Sequence, residues 1–226
     1  MIKKIINKIR ELAFAKTESF KIHKKGSLIN SFYESKIIFI HIPKNGGTSI
    51  AQYLEMENIG HYHFSHYTQY PDKWKNYKKI AVSRNPWDRF VSCYEYGRME
   101  KSFYHSVEGK SIYGRHPDYD ILKTLSFDEC VQVANSSPHL LKHQGWKSQL
   151  SWISDEKGDI KVDQVFKLEN INDKKTGLLK IIGNTNQIPK VNPSTRKNYK
   201  EYYNEDTKNI IREIYKEDIT KLGYEF

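Results

Sequence analysis

The sequence predicts an α/β protein, with a central, mainly parallel sheet flanked by helices in three layers. Three observations lead there. The runs "KIIFIHI" (36–42), "KKIAVS" (78–83) and "VDQVFKLEN" (162–170) are short and rich in β-branched or aromatic residues. Apolar runs without polar alternation suit strands covered on both faces. Each run is followed by a segment of helical periodicity, and strands that alternate with helices argue for a parallel sheet.

Taken in order, "MIKKIINKIRELAF" sets Ile2, Ile5, Ile6, Ile9 and Leu12 at helical spacing and predicts an amphipathic helix over 1–14. Lysines interrupt it, so it is no secretory signal, and no segment reaches the ~20 apolar residues of a membrane span. Docking on the domain is the favoured reading. Peripheral contact with an anionic membrane is the alternative. Residues 16–35 read as a polar arm, which makes 1–35 an N-terminal helix and arm ahead of the domain at 36–226.

The first strand breaks at Pro43 to Gly47, and "TSIAQYLEM" follows as a helix with Ile50 and Leu54 on one face. The second strand ends at Arg84 and Asn85, and Pro86 suits the first turn of the next helix, "WDRFVSCYEYGRM". Residues 100–120 lack any period and read as a long loop. Ser126 with Glu129 forms a capping-box pattern ahead of "FDECVQVA". After the third strand, "DKKTGLLKIIG" reads as a helix closed by Gly183. The last helix carries Ile210, Ile211, Ile214, Tyr215 and Leu222 as a stripe and stops at Gly223.

The chain has 226 residues, a formal net charge of +10 and a pI near 9.3. That surplus favours anionic partners without choosing among them. Cys93 and Cys130 form no CxxC and have no zinc-like histidine spacing, so they read as reduced thiols of a cytoplasmic chain, and no metal is expected.

The chemistry concentrates in "FIHIPKNGGTSI". A strand that turns through glycines into a helix points backbone N–H groups at one spot, where phosphate binds readily. Gly46 and Gly47 permit close approach, Thr48 and Ser49 offer hydroxyls, and Lys44 adds a full charge. The nucleoside-triphosphatase loop carries its lysine after the glycines. Here the lysine precedes them, and the second strand ends in Ser83-Arg84 with no carboxylate for Mg²⁺. The architecture is therefore P-loop-like without the chemistry of that loop. Arg84, at the carboxyl edge of the sheet, can grip a second anion with two donors, or by pattern alone serve only as an ion-pair residue. Ser92 follows two helical turns later.

"HIPKNGGTSI" together with "VSRNPWDRFVSCY" resembles the paired signatures of the PAPS-dependent sulfotransferases, nearest the Golgi-type carbohydrate branch that includes heparan 2-O-sulfotransferase and its bacterial relatives. The likeness extends through "QLSWISDEKGDIKVDQVFKLENIND" and "YKEDITKLGYEF". The resemblance implies that Lys44, Asn45, Gly46, Gly47, Thr48 and Ser49 hold the 5′-phosphosulfate of PAPS. It implies that Arg84 and Ser92 hold the 3′-phosphate, and it sets "NPSTRKNYKEYY", with Ser194, Arg196 and Lys197, close to the nucleotide.

Sulfuryl transfer to a hydroxyl needs a base, and a histidine near neutral pKa suits that work. "GHYHFSHY" supplies His61, His63 and His66. The His-x-His ahead of the second motif, as in the 2-O-sulfotransferases, favours His63 as base with His61 as neighbour. A looser likeness to other bacterial members puts the role on His66. The acceptor expected is a carbohydrate or glycolipid. The 100–120 loop, with Lys101, His105, Lys110, Arg115 and His116 among Tyr104, Tyr113 and Tyr119, offers bases and sugar-stacking rings. Two other classes compete: a nucleotide-dependent phosphotransferase, against which the lysine placement counts, and a non-catalytic nucleic-acid-binding protein. No basic stripe supports the latter, so no nucleic-acid partner is expected.

Overall fold

The computed structural model describes residues 31–32, 36–54, 56, 60–100, 115–173, 177–182, 187–188 and 196–226. The helix expected over 1–14, nearly all of the arm, residues 101–114 of the long loop, Gly183 and Ser194 lie outside them.

Among the described residues, four strands form one sheet in the order β1-β2-β3-β4. These are β1 (Ser31–Phe32), β2 (Ile37–Ile40), β3 (Lys78–Ser83) and β4 (Gln164–Lys167). Strands β2, β3 and β4 run parallel, with Phe39 opposite Ile80 and Val82 opposite Phe166. Strand β1 adds an antiparallel edge. The three apolar runs are thus the three parallel strands, and β1 is an addition that its two residues gave no period to reveal.

The strand side chains alternate between two cores, as a period of two requires. Ile37, Phe39, Ile80, Val82 and Phe166 face one cluster, which α1 (Gly47–Tyr53) joins through Ile50 and α8 (Leu178–Ile182) joins through Leu178 and Leu179. Ile38, Ile40 and Ala81 face the other. There they meet Tyr67 of α2 (Phe64–Tyr67), Trp74 of α3 (Pro71–Asn76) and Leu150, Trp152 and Ile153 of α7 (Leu150–Ile153). Helices therefore cover both faces, which is why these strands carry no polar alternation.

A third cluster lies between helices. Trp87, Phe90 and Tyr94 of α4 (Pro86–Gly97) pack with Leu122 of α5 (Tyr119–Leu122), with Phe127, Cys130 and Val131 of α6 (Phe127–Ser136), and with Ile211 of α9 (Glu205–Ile214). Ser126 caps α6 in the expected box with Glu129. The last helix is two: α9 ends at Tyr215, and α10 (Lys216–Leu222) begins there and stops at Gly223, which takes the left-handed conformation at φ 65°. The short helices α2, α3, α5 and α7 are too brief to show a period. No described helix is long and apolar enough to cross a membrane.

Candidate active site: two anion loops at one sheet edge

The carboxyl ends of β2 and β3, paired in parallel, deliver two loops side by side. The first, 41–47, turns twice through left-handed backbone, at Lys44 (φ 69°) and Gly46 (φ 72°). For lysine that conformation costs about 1–2 kcal/mol, and the second loop helps hold it: Arg84 donates from Nη1 to the Lys44 carbonyl at 3.0 Å. No side chain caps the start of α1, whose N-cap is Gly46. Thr48 is exposed and Ser49 half-buried there.

Gly47 is glycine for a steric reason. A β-carbon on it would stand 1.7 Å from Nε2 of His41. His41 is buried, stacks on Phe39 and lies 4.0 Å, ring centre to ring centre, from His61. Burial first, and the charge of His61 second, keep the His41 imidazole well below the usual range, so it is neutral.

Asn45 turns inward. Its amide donates to the Val82 carbonyl at 2.7 Å and to Oε1 of Gln149 at 2.8 Å. The side chain therefore ties the first loop to β3, and only its backbone remains to face an anion. Gln149 completes the tie by accepting from the Arg84 N–H and donating to the Arg84 carbonyl, both at 2.8 Å.

The site is rich in cations. Asp88 on α4 accepts from Nε of Arg84 at 2.7 Å and from a guanidinium nitrogen of Arg196. Burial pushes the Asp88 carboxyl up, but the two arginines outweigh it and hold the group below its ordinary value. Arg89, one position on and buried, donates to the carbonyls of Pro43 (3.1 Å) and Lys147 (2.8 Å). Its Nη2 is buried without a hydrogen-bond partner among the described residues. Lys44 lays its ammonium 3.6 Å from the centre of the Tyr96 ring. Burial and the charges of Arg84, Arg196 and Arg89, partly countered by Cys93, bring its pKa down to about 8. Ser92 is half-buried on α4, one turn beyond Asp88. Lys197 is exposed.

Of the three candidate histidines, the contacts bring His61 to this site. Its Nδ1 lies 3.0 Å from the His41 carbonyl, and the charges of Lys44 and Arg89 act on it. Burial, then those charges, lower its pKa against the raising effect of the carbonyl. His63 is instead the N-cap of α2, where Nδ1 accepts from the Ser65 N–H at 3.2 Å. His66 stacks on Tyr62 at 4.4 Å and meets Tyr67 and Tyr70 edge-on.

A second imidazole pair, His116 and His143, lies 4.6 Å apart with tilted rings beside Tyr96. Buried Asp118 fixes it by accepting from the N–H groups of Lys142 (2.6 Å) and His143 (3.0 Å) and from the Trp146 indole (2.7 Å). Arg115, by contrast, pairs with Asp120 at the surface.

Sequence reasoning missed His41, Arg89, Asp88 and Gln149. The signal for Arg89 and Asp88 lay inside the quoted "NPWDRF", where i, i+4 spacing sets Asp88 beneath Arg84. Gln149 gave none, being 65 residues from Arg84.

These features define a class: an α/β protein that pairs a glycine loop with an arginine-bearing loop at the carboxyl edge of a parallel sheet. More narrowly, the chain belongs to the sulfotransferase family, whose model matches residues 29–225. Searches of curated proteins and of solved structures returned no match.

Proposed function

We propose that this protein transfers a sulfuryl group from PAPS to a hydroxyl of a carbohydrate or glycolipid acceptor, with His61 as general base. Membership of the family makes it a sulfotransferase, and sulfotransferases generally draw on PAPS. One observation carries the finer reading: the Arg84–Lys44 hydrogen bond at 3.0 Å. It joins the two loops into one site, which supports the reading that a single carrier is held there at both of its charged ends. The uncapped turn at Gly46, the buried and unsatisfied Nη2 of Arg89 and the cations around Lys44 all suit a doubly phosphorylated ligand.

In this reading the turn at Gly46–Ser49 and Lys44 hold the phosphosulfate end, and Arg84, Arg196 and Ser92 the 3′-phosphate. Asp88 orients both guanidiniums. The base follows from tautomers. A carbonyl only accepts, so His61 must carry its proton on Nδ1, and Nε2 is left with a free lone pair. His63 is the reverse, since its Nδ1 accepts the Ser65 N–H and Nε2 keeps the proton. His61 Nε2 takes the hydroxyl proton as the acceptor oxygen bonds to sulfur. The sulfur–oxygen bond to the 5′-phosphate breaks, and Lys44 and the loop N–H groups stabilise the charge that grows there. We place the chain in the cytoplasm, where its two buried, free thiols, Cys93 and Cys130, stay reduced.

The test is incubation with ³⁵S-labelled PAPS and a panel of glycans, glycolipids and simple alcohols. Transfer to a sugar hydroxyl is expected, and Lys44→Ala should lower it by ~10²-fold or more. Turnover of Mg-ATP with none of PAPS would overturn the reading, as would full activity in Lys44→Ala.

A further inference from the structure

Tyr96 belongs to neither anion motif, yet it touches the one lysine of the glycine loop. We infer that Tyr96 is a positioning residue for Lys44: its ring face holds the ammonium at the mouth of the loop and sets the direction from which Lys44 reaches the departing phosphate. This inference rests on the role given to Lys44 above.

Three features of the geometry support it. The Lys44 ammonium lies 3.6 Å from the ring centre, a close cation–π approach. The Lys44 backbone is already fixed, in a left-handed conformation and by the Arg84 hydrogen bond to its carbonyl, so the side chain is the part left to be placed. The ring in turn is braced from behind. His116 meets it edge-on at 5.3 Å and 89°, and His143 lies at 6.2 Å. A β-carbon on Gly97, the next residue of α4, would stand 2.2 Å from Leu122 Cδ1 and 3.3 Å from His116, so the packing beside the brace has no space for a side chain there.

The brace is also electrically quiet. Burial brings His116 down to about 4 and His143 down to about 3, so both rings are neutral at physiological pH and add no repulsion to the ammonium. The other cations near Lys44 are those of Arg84, Arg196 and Arg89, which Cys93 only partly counters. All would drive a loose ammonium away from the loop. An aromatic face attracts the cation without neutralising it, which a carboxylate at this place would do.

The experiment compares Tyr96→Phe and Tyr96→Leu, each alone and in a Lys44→Ala background. The readout is release of sulfate or transfer from labelled PAPS, with kcat and donor KM measured separately. Phenylalanine keeps the face and should stay within about threefold of the unaltered protein, whereas leucine should lower kcat by about tenfold with donor KM nearly unchanged. In the Lys44→Ala background leucine should add less than about twofold, because the group it positions is gone. A second readout does not need turnover: labelling of Lys44 by an amine reagent at pH 8, scored by peptide mass against the other lysines. Leucine should raise it several-fold and phenylalanine should not. Tyr96→Met replaces leucine if that variant does not fold. Equal loss by leucine in both backgrounds, equal damage by phenylalanine, or unchanged labelling overturns the inference. Absence of any PAPS turnover in the unaltered protein overturns the proposed function instead, and the labelling result then still decides the place of Tyr96.

Discussion

His61 and His63 sit two positions apart in one short segment, and opposite hydrogen bonds make them chemically opposite. The His41 carbonyl fixes one as an acceptor at Nε2, and the Ser65 N–H fixes the other as a donor there. His61→Ala should therefore lower kcat by ~10²-fold or more, as for loss of a general base. His63→Ala should change kcat less than tenfold and cost about 1 kcal/mol in thermal melts, as for loss of an N-cap. The pH profile of kcat/KM for the donor follows from the two shifts. Burial holds the His61 imidazole below its ordinary range, and as the proposed base it acts when neutral, so activity should rise as pH passes upward through that lowered range. Lys44 acts when charged and titrates near 8, so activity falls above that pH. Lys44→Arg should move the alkaline limb out of reach, since a guanidinium stays protonated. An unmoved limb would assign it to another group.

At the scale of elements, the loop and the strand that feeds it are interlocked. His41 follows β2, and its ring occupies the space that a β-carbon on Gly47 would need. The ring is held on its other sides, because Phe39 stacks on it and His61 lies tilted against it at 4.0 Å. Gly47→Ala should cost about 1–3 kcal/mol by overpacking and should abolish binding of adenosine 3′,5′-bisphosphate, measured by calorimetry. Retained binding would mean that the loop tolerates displacement. The break between α9 and α10 also belongs here. A single stripe of Ile210, Ile211, Ile214, Tyr215 and Leu222 predicts one helix. However, Ile211, Tyr215 and Ile219 pack in the helical cluster, while Leu222, at the end of α10, packs on the sheet. Two cores in different directions pull one amphipathic stripe into two helices. By contrast, the α6 start was legible, because a capping box is made by residues three apart.

Over the whole molecule, one buried chain of hydrogen bonds links the C-terminal helix to both anion loops. Asp218 of α10 is fully buried and accepts from Ser148 Oγ (2.6 Å), the Gln149 N–H (2.7 Å) and the Leu150 N–H (2.9 Å). Gln149 then holds Asn45 and Arg84. Asp218→Asn turns an NH₂ toward a donor and leaves a buried group unsatisfied, at a cost of about 2–3 kcal/mol. That should lower the melting temperature by about 5–10 °C. It should also weaken bisphosphate binding, although Asp218 is given no contact with the ligand. Unchanged affinity beside a lowered melting point would show that the network serves stability alone.

The sequence by itself determined the three parallel strands, the two loops at their ends and the residue types in those loops. Such features are written in local order, as apolar runs, turn-forming glycines and caps. It also marked three histidines as candidates and favoured His63 as the base, with His66 the alternative and His61 a neighbour. Only the tertiary structure decided which imidazole meets the glycine loop, that Asn45 turns inward while Arg89 backs the loop, and that Tyr96 receives Lys44. Each of those choices depends on a carbonyl, ring or amide from a distant part of the chain, and a partner so placed leaves no periodicity in sequence to read.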